Sequence, residues 1–300
     1  MKTRILQAVL LAAALVSFSG VASATPDVNS AVIQLRIFND CPTSVVTTDN
    51  SYPTTITIRD SQVNCQSGFA NLHNWRFSED GATPAVFNNA DAFRFGAWLV
   101  LDGTLNGESG LQVSPWWSQD VDGRLNVKAG DGEIAAFGGR LPFYSFTASQ
   151  GLTYQRGTPI YLEIVYYPHD LTQQNPGTIE YKLNYNGTDY TSGVLAFDEG
   201  NPNEPYGTWG ILDNARVGAH LQVLVDPNNP EGYLDATWRD IMFEKLDGAC
   251  CLNEVCQILP EEQCLNAGGI YQGNATGCDP NPCGTAVETS TWGRVKSSYR

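Results

Sequence analysis

Between Ala31 and about Leu246 no stretch of twelve or more residues carries a 3.6-residue apolar period. Instead Val, Ile, Thr, Tyr, Phe and Trp come in short runs cut by Gly, Pro, Asn and Asp, which is the pattern of strands and turns. In Val32–Phe38, Ile33, Leu35 and Ile37 fall on one face and Gln34 and Arg36 on the other, as in a half-buried strand. Further strands are expected at Thr54–Ile58, Ala92–Leu101, Leu111–Pro115, Arg124–Lys128, Glu133–Phe137, Ile160–Tyr167, Ile179–Tyr185, Gly207–Leu212, Gly218–Val225 and Asp235–Glu244. Ile179–Tyr185 alternates, Asn186-Gly187 supplies the two positive-φ positions of a type I′ turn, and Thr188–Thr191 returns. The lack of helical segments argues against a βαβ architecture, and the strand count suits one large two-sheet antiparallel sandwich, an all-β fold.

The N-terminus indicates the compartment. Lys2 and Arg4 precede an apolar run, Ile5–Val16, and Ala22-Ser23-Ala24 is a small-x-small cleavage box, the three parts of a secretory signal peptide. Cleavage after Ala24 leaves Thr25 first and makes the protein secreted or exposed on the cell surface. The apolar run is too short to span a bilayer, and no transmembrane span is expected elsewhere. Loss of Lys2 and Arg4 takes the formal charge of −15 to −17. So acidic a surface argues against nucleic acid, which needs Lys and Arg to displace its counterions. It is compatible with neutral sugars and with Ca2+.

Eight cysteines follow the signal segment: Cys41 and Cys65 early, then Cys250, Cys251, Cys256, Cys264, Cys278 and Cys283. An even number in an exported chain reads as disulfides, and the lack of His and of paired C-x-x-C spacings in 250–283 weakens a zinc reading. Cys41 and Cys65 are expected to pair. The other six allow fifteen pairings, with adjacent Cys250 and Cys251 bonding to different partners. These boundaries divide the chain into a signal peptide (1–24), a sandwich (25–247), a disulfide-rich module (248–283) and a basic tail (284–300). In the tail Trp292, Val295 and Tyr299 lie near one face of a short helix, among Arg294, Lys296 and Arg300.

Ile160–Tyr167, a polar loop and Gly177–Gly187 together resemble a hairpin recurrent in the concanavalin A-like lectin/glucanase superfamily, particularly its laminin-G-like branch. Arg216-Val217-Gly218, a strand and Ala236–Phe243 are similar to its C-terminal part. The resemblance implies a jelly roll over about 31–246 whose final strand returns beside the first, and it carries no activity with it. Residues 248–283 resemble small Cys-rich repeats of exported bacterial proteins, and the tail resembles a terminal sorting signal, which implies sorting machinery as a partner.

Three chemistries are open. Catalysis has least support: glucanases of the resembled superfamily carry carboxylates on alternate strand positions, whereas Glu163 and Glu180 each stand alone and Asp198-Glu199 are adjacent. Glu163 reads as an outward strand residue, and His73, His169 and His220 are scattered. Asp120, Asp122, Asp131 and Glu133 sit in loops near strand ends and offer oxygens to Ca2+, although Asp-Gly pairs are also ordinary turn formers. The sharpest reading is a lectin-like or adhesive surface: Trp116 or Trp117 stacks on a pyranose, with Trp75 and Trp209 as partners and Arg140, Asn201 and Asn203 meeting its hydroxyls. The rivals are a structural surface protein that self-associates and a polysaccharide hydrolase or lyase.

Overall fold

The structure is a computed structural model, and it describes residues 25–114, 123–138, 140–197 and 209–283. The first strands are β1 (Ser30–Asn39), β2 (Val45–Ser51), β3 (Thr55–Ser61), β4 (Ala70–Ser78), β5 (Phe93–Gly103) and β6 (Gly107–Ser114). Next come β7 (Arg124–Lys128), β8 (Ile134–Phe137), β9 (Tyr144–Ser145) and a single-turn helix α1 (Phe146–Gln150). They are followed by β10 (Ile160–Tyr167), β11 (Thr178–Tyr185), β12 (Thr188–Ala196), β13 (Arg216–Leu224) and β14 (Tyr233–Lys245). Two seven-stranded antiparallel sheets result, β1-β4-β13-β6-β7-β8-β9 and β12-β11-β10-β5-β14-β3-β2, facing each other as a jelly-roll sandwich.

The core lies between them. Trp75 and Phe77 of β4 meet Phe95 of β5 and Trp238 of β14: Trp75 lies edge-on to Phe77 at 5.2 Å and to Trp238 at 6.1 Å. Alternation carries this through the sandwich, with Leu111, Leu125, Val217 and Leu221 facing inward from one sheet and Leu99, Ile164 and Tyr181 from the other. The β11–β12 hairpin turns at Asn186 (φ 53°) and Gly187 (φ 78°), as expected, and β12 runs on to Ala196.

Several expectations need correction. The strand expected at Gly207–Leu212 is absent where it is described, since Trp209–Leu212 forms a loop. The final sandwich strand does not return beside the first: β14 lies between β5 and β3, while β1 pairs with β4 in the other sheet. The single face expected for Ile33, Leu35 and Ile37 is broken by a bulge between Gln34 and Phe38, where Arg36 takes φ 60° and Leu35 is left 42% exposed. A buried network holds that bulge. The Arg36 N–H donates to His73 Nδ1 (3.1 Å), so Nε2 carries the proton and donates to Asp60 Oδ2 (3.0 Å), which also accepts from Asn71. His73 is thereby a structural residue.

Cys41 bonds Cys65, fastening the β1–β2 connection to the segment before β4. Residues 247–271 add a three-stranded sheet of β15 (Asp247–Leu252), β16 (Val255–Pro260) and β17 (Ile270–Tyr271), with helix α2 (Glu261–Asn266). Cys250 bonds Cys264, Cys251 bonds Cys283 and Cys256 bonds Cys278, so the adjacent cysteines do part. His169, in the β10–β11 connection, joins this unit to the sandwich: Nδ1 pairs with Glu262 (2.8 Å) and the carbonyl accepts from Gln263.

Val255, Leu265 and Ile270 are each more than half exposed, so the unit's own apolar burial is small. Its three disulfides close separations of 14, 32 and 22 residues, and each such closure contributes about 3–4 kcal/mol. Reduction is therefore expected to strip hydrogen-exchange protection from 248–283 while β5 and β10 stay protected. Retained protection after reduction would show that packing, not the bridges, holds the unit.

Candidate functional site

The sheet containing β1, β4, β13, β6 and β7 shows its second face to something other than the core, and that face is built of polar side chains. Strand alternation puts Asn74 and Arg76 of β4, Glu108 and Gln112 of β6, Arg124 and Asn126 of β7, and His220 and Gln222 of β13 on it together. Register sorts them into rows. One runs Gln34, Asn74, His220, Gly110, Asn126; the next Arg76, Gly218, Gln112, Arg124; the third Leu72, Gln222, Glu108, Lys128. A Cβ at Gly110 or Gly218 would lie 2.1 Å from the carbonyl oxygen of Leu125 or Trp75, so these two strands approach their neighbours at a distance only glycine permits.

The rows are cross-linked. Arg76 Nη1 donates to Gln112 Oε1 (3.1 Å), and Arg124 Nη1 donates both to Glu108 Oε1 and to Gln222 Oε1 (3.1 Å). The ring nitrogens of buried His220 have no side-chain partner among the described residues, the Gly110 backbone being the polar group beside them, and both ends of the Asn126 amide are unmet. Burial, then the charges of Arg124 and Arg76, push the His220 pKa well below its ordinary value, so the imidazole is neutral. An otherwise acidic chain thus gathers two arginines around a neutral base.

The third row opens into a cavity of about 380 Å³ whose walls include Phe69, Asn106, Glu108, Lys128, Asp131 and Gln222. Phe69 is 68% exposed, yet its backbone is held on both sides: its N–H donates to Asp40 Oδ2 (2.8 Å) and its carbonyl accepts from Val225 (2.9 Å). Asn106 Oδ1 accepts from Arg156 Nη2 (2.7 Å), which orients the amide. Lys128 pairs with Glu133, whose hydrogen bond raises the lysine pKa. An aromatic ring at the mouth and amides, carboxylates and an ammonium within are the elements of a sugar site.

The residues expected from sequence distribute otherwise. Trp116, Trp117, Asp120, Asp122, Asn201 and Asn203 lie outside the described residues, as does the tail. Trp75 is fully buried in the core and presents no ring to a ligand, because alternation along β4 turns Trp75 inward and Arg76 outward. Trp209 is half-buried, with its carbonyl accepting from Gly177 (2.6 Å), and Arg140 is buried. Asp131 Oδ1 accepts from the Glu133 N–H (3.0 Å), and among the described residues no cluster of three His, Cys, Asp or Glu is arranged to hold a metal. Glu163 does face away from the core, on the other sheet, where it accepts from Tyr161 Oη (2.8 Å). Burial, then that bond, raises the tyrosine pKa. Among the described residues no helix is long and apolar enough to cross a membrane.

No family model matches the chain, and no curated protein matches it. Solved structures similar to it include a family 7 alginate lyase A1-II′ in complex with substrate (12% identity, 67% of this chain and 81% of that one, TM-score 0.40). A functionally unknown protein from Saccharomyces cerevisiae is 10% identical over 71% of this chain and 95% of that one, with a TM-score of 0.37. The Emp47p carbohydrate recognition domain is 10% identical over 72% and 88%, with a TM-score of 0.35. Likeness at this level carries nothing about what this chain binds.

Proposed function

We propose that the chain is a secreted or surface glycan-binding protein that captures a hydroxyl-rich sugar in the cavity beside Phe69, without turning it over. The carrying observation is one exposed aromatic ring, on a backbone held from both sides, at a cavity whose walls include Asn106, Glu108, Lys128, Asp131 and Gln222. The ring stacks on the apolar C–H face of a pyranose, and the side chains exchange hydrogen bonds with its hydroxyls. Since Arg124 binds both Glu108 and Gln222, it fixes the cavity's back wall.

A second reading rests on His220. A neutral imidazole flanked by Arg76 and Arg124 suits β-elimination in a polyuronate. The arginines would offset the carboxylate charge, and His220 would take the proton on the adjacent carbon. The freed electron pair would form the C=C bond as the C–O bond to the leaving sugar breaks, that oxygen then taking a proton from water. His220, however, has no exposed surface, which weighs for capture over turnover.

The test is affinity chromatography on immobilised neutral glucan and on polyuronate, with ultraviolet absorbance of the eluate as the readout for an unsaturated product. Retention that Phe69→Ala weakens about tenfold, the upper end of what one stacking contact is worth, with no absorbance rise, is the expected result. Retention unaffected by Phe69→Ala refutes the cavity as the site. An absorbance rise that His220→Asn abolishes replaces capture by elimination.

A further inference from the structure

The first described residue is buried. Thr25 is 1% exposed, its Oγ1 donates to Asp247 Oδ2 (2.7 Å), and its backbone N–H points at the same oxygen at 3.4 Å. Asp247, 6% exposed, opens β15, and its carbonyl accepts from Ala275 (2.7 Å), so the segment leading into β1 is tied to the disulfide-bonded unit. Next to Asp247 the Leu246 N–H donates to Ala92 (2.8 Å), the residue after Asp91, another buried carboxyl whose Oδ2 accepts the Asn88 N–H (2.7 Å).

The charges there do not balance. Asp247, Asp91 and Asp213 share one neighbourhood with Lys245, whose ammonium is already paired with Asp27 Oδ1 (2.5 Å). Burial, above all, pushes the Asp91 pKa up to about 7 against the opposing Asn88 N–H, and the charges of Asp247 and Asp213 add to the rise while Lys245 lowers it. The Tyr271 phenol is pushed up to about 12, by burial first and then by Asp247 and other neighbours. A buried carboxyl such as Asp91, with no dedicated cation, is costly to ionise.

We infer that this pocket is a receptor for the processed N-terminus: the α-ammonium released when the signal segment is cut after Ala24 forms a buried ion pair with Asp247. Hydrolysis of the Ala24–Thr25 amide consumes one water. Ala24 leaves as a carboxylate with the signal segment, and the Thr25 nitrogen becomes an ammonium with three donors in place of one N–H. The Thr25 hydroxyl bond already holds that nitrogen beside the oxygen it would pair with. A charge-assisted bond needs the 3.4 Å separation to contract by about 0.6 Å, a small movement for a chain end. Signal peptidases act during export, before folding, so the ammonium is available when the sandwich closes on the Cys-rich unit. An unprocessed chain folds with an uncharged amide there and lacks the lock. The inference is independent of the glycan reading, because the pocket shares no residue with the cavity at Phe69.

The test compares the chain from Thr25 to Arg300 with its terminus free and with Thr25 N-acetylated, each with Asp247 intact and as Asp247→Asn. With Asp247 intact, acetylation is expected to lower Tm by several degrees, and in Asp247→Asn the two forms are expected to melt together. The α-amino group, followed by NMR in chain carrying 15N-labelled threonine, should titrate above its ordinary value of about 8. A raised folded pKa means that the stabilisation is complete below that ordinary value and lost as pH rises through the folded one, so the gap between the forms should close in alkali. The neighbouring titratable and charged groups, Asp91, Asp213, Lys245 and Tyr271, are common to both forms, so their contributions cancel in the comparison. Equal Tm for the two forms with Asp247 intact, an undiminished gap in Asp247→Asn, or an α-amino group titrating at its ordinary value would each overturn the inference. Should Asp247→Asn not fold, the first and third measurements still decide it.

Discussion

Trp75→Ala is expected to destabilise the sandwich by about 3–5 kcal/mol, the range for deleting a fully buried tryptophan and leaving its cavity unfilled. The ring stands where both sheets contribute large side chains: Phe77 beside it on β4, Trp238 opposite on β14, and Phe95 and Phe243 beyond Phe77. Edge-to-face contacts of this kind add to the area term, and the close-packed side chains around the ring keep the sheets from closing over the space. Trp75→Phe should cost far less. The indole N–H has no hydrogen-bond partner in the core, so losing it leaves nothing unsatisfied and only part of the volume is given up. The measurement is the denaturant midpoint at constant m-value, together with glycan retention of whatever remains folded. Loss of binding in a fully folded Trp75→Phe protein would revive Trp75 as a ligand residue; a change below about 1 kcal/mol in Trp75→Ala would show that the core is far looser than its burial suggests.

The reason Trp75 was open to misreading lies in the grammar of strands. Alternation says that neighbours face opposite ways, but not which way is inward until one residue is anchored, and β4 (Ala70–Ser78) carries polar groups on both faces. Asn71 and His73 serve the buried Asp60 network on the core side, while Asn74 and Arg76 serve the polar face. The result reads as neither a half-buried nor a fully buried strand, and its pattern predicts no strand there. Clean alternation was legible: β7 and β10 run over the residues expected of them, and the Asn186-Gly187 turn fixes the β11–β12 register. The candidate site was visible only in part. Gly218, His220 and Gln222 alternate with Ala219, Leu221 and Val223, and Glu108, Gly110 and Gln112 alternate in the same way. That is two polar stripes, but nothing in sequence says that β13 and β6 are neighbours, and only their pairing brings His220 beside Gly110. Phe69 left no signal at all, because an exposed phenylalanine ahead of a strand looks like any other turn residue.

Glu108→Ala is expected to cost about 3–5 kcal/mol, more than its size warrants, because it strands the Arg124 guanidinium. Arg124 is 5% and Glu108 9% exposed, and Glu108 is the arginine's carboxylate partner among the described residues. The Gln222 amide, 3.1 Å from Nη1, accepts one hydrogen bond but carries no charge to offset the guanidinium. Glu108→Gln keeps an acceptor in place and should lie between the wild type and Glu108→Ala. Replacing both partners, Glu108→Leu with Arg124→Met, removes the desolvated charges together and should recover most of the loss, since apolar substitutes for a buried pair are commonly neutral or stabilising. If the double replacement were no more stable than Glu108→Ala, the pair would be contributing net stability and this account of it would fail. The informative outcome is the combination of recovered stability with lost glycan retention. A chain that folds as well without the pair has no structural need for two charges behind a cavity wall, and their presence there is then accounted for by what the cavity holds.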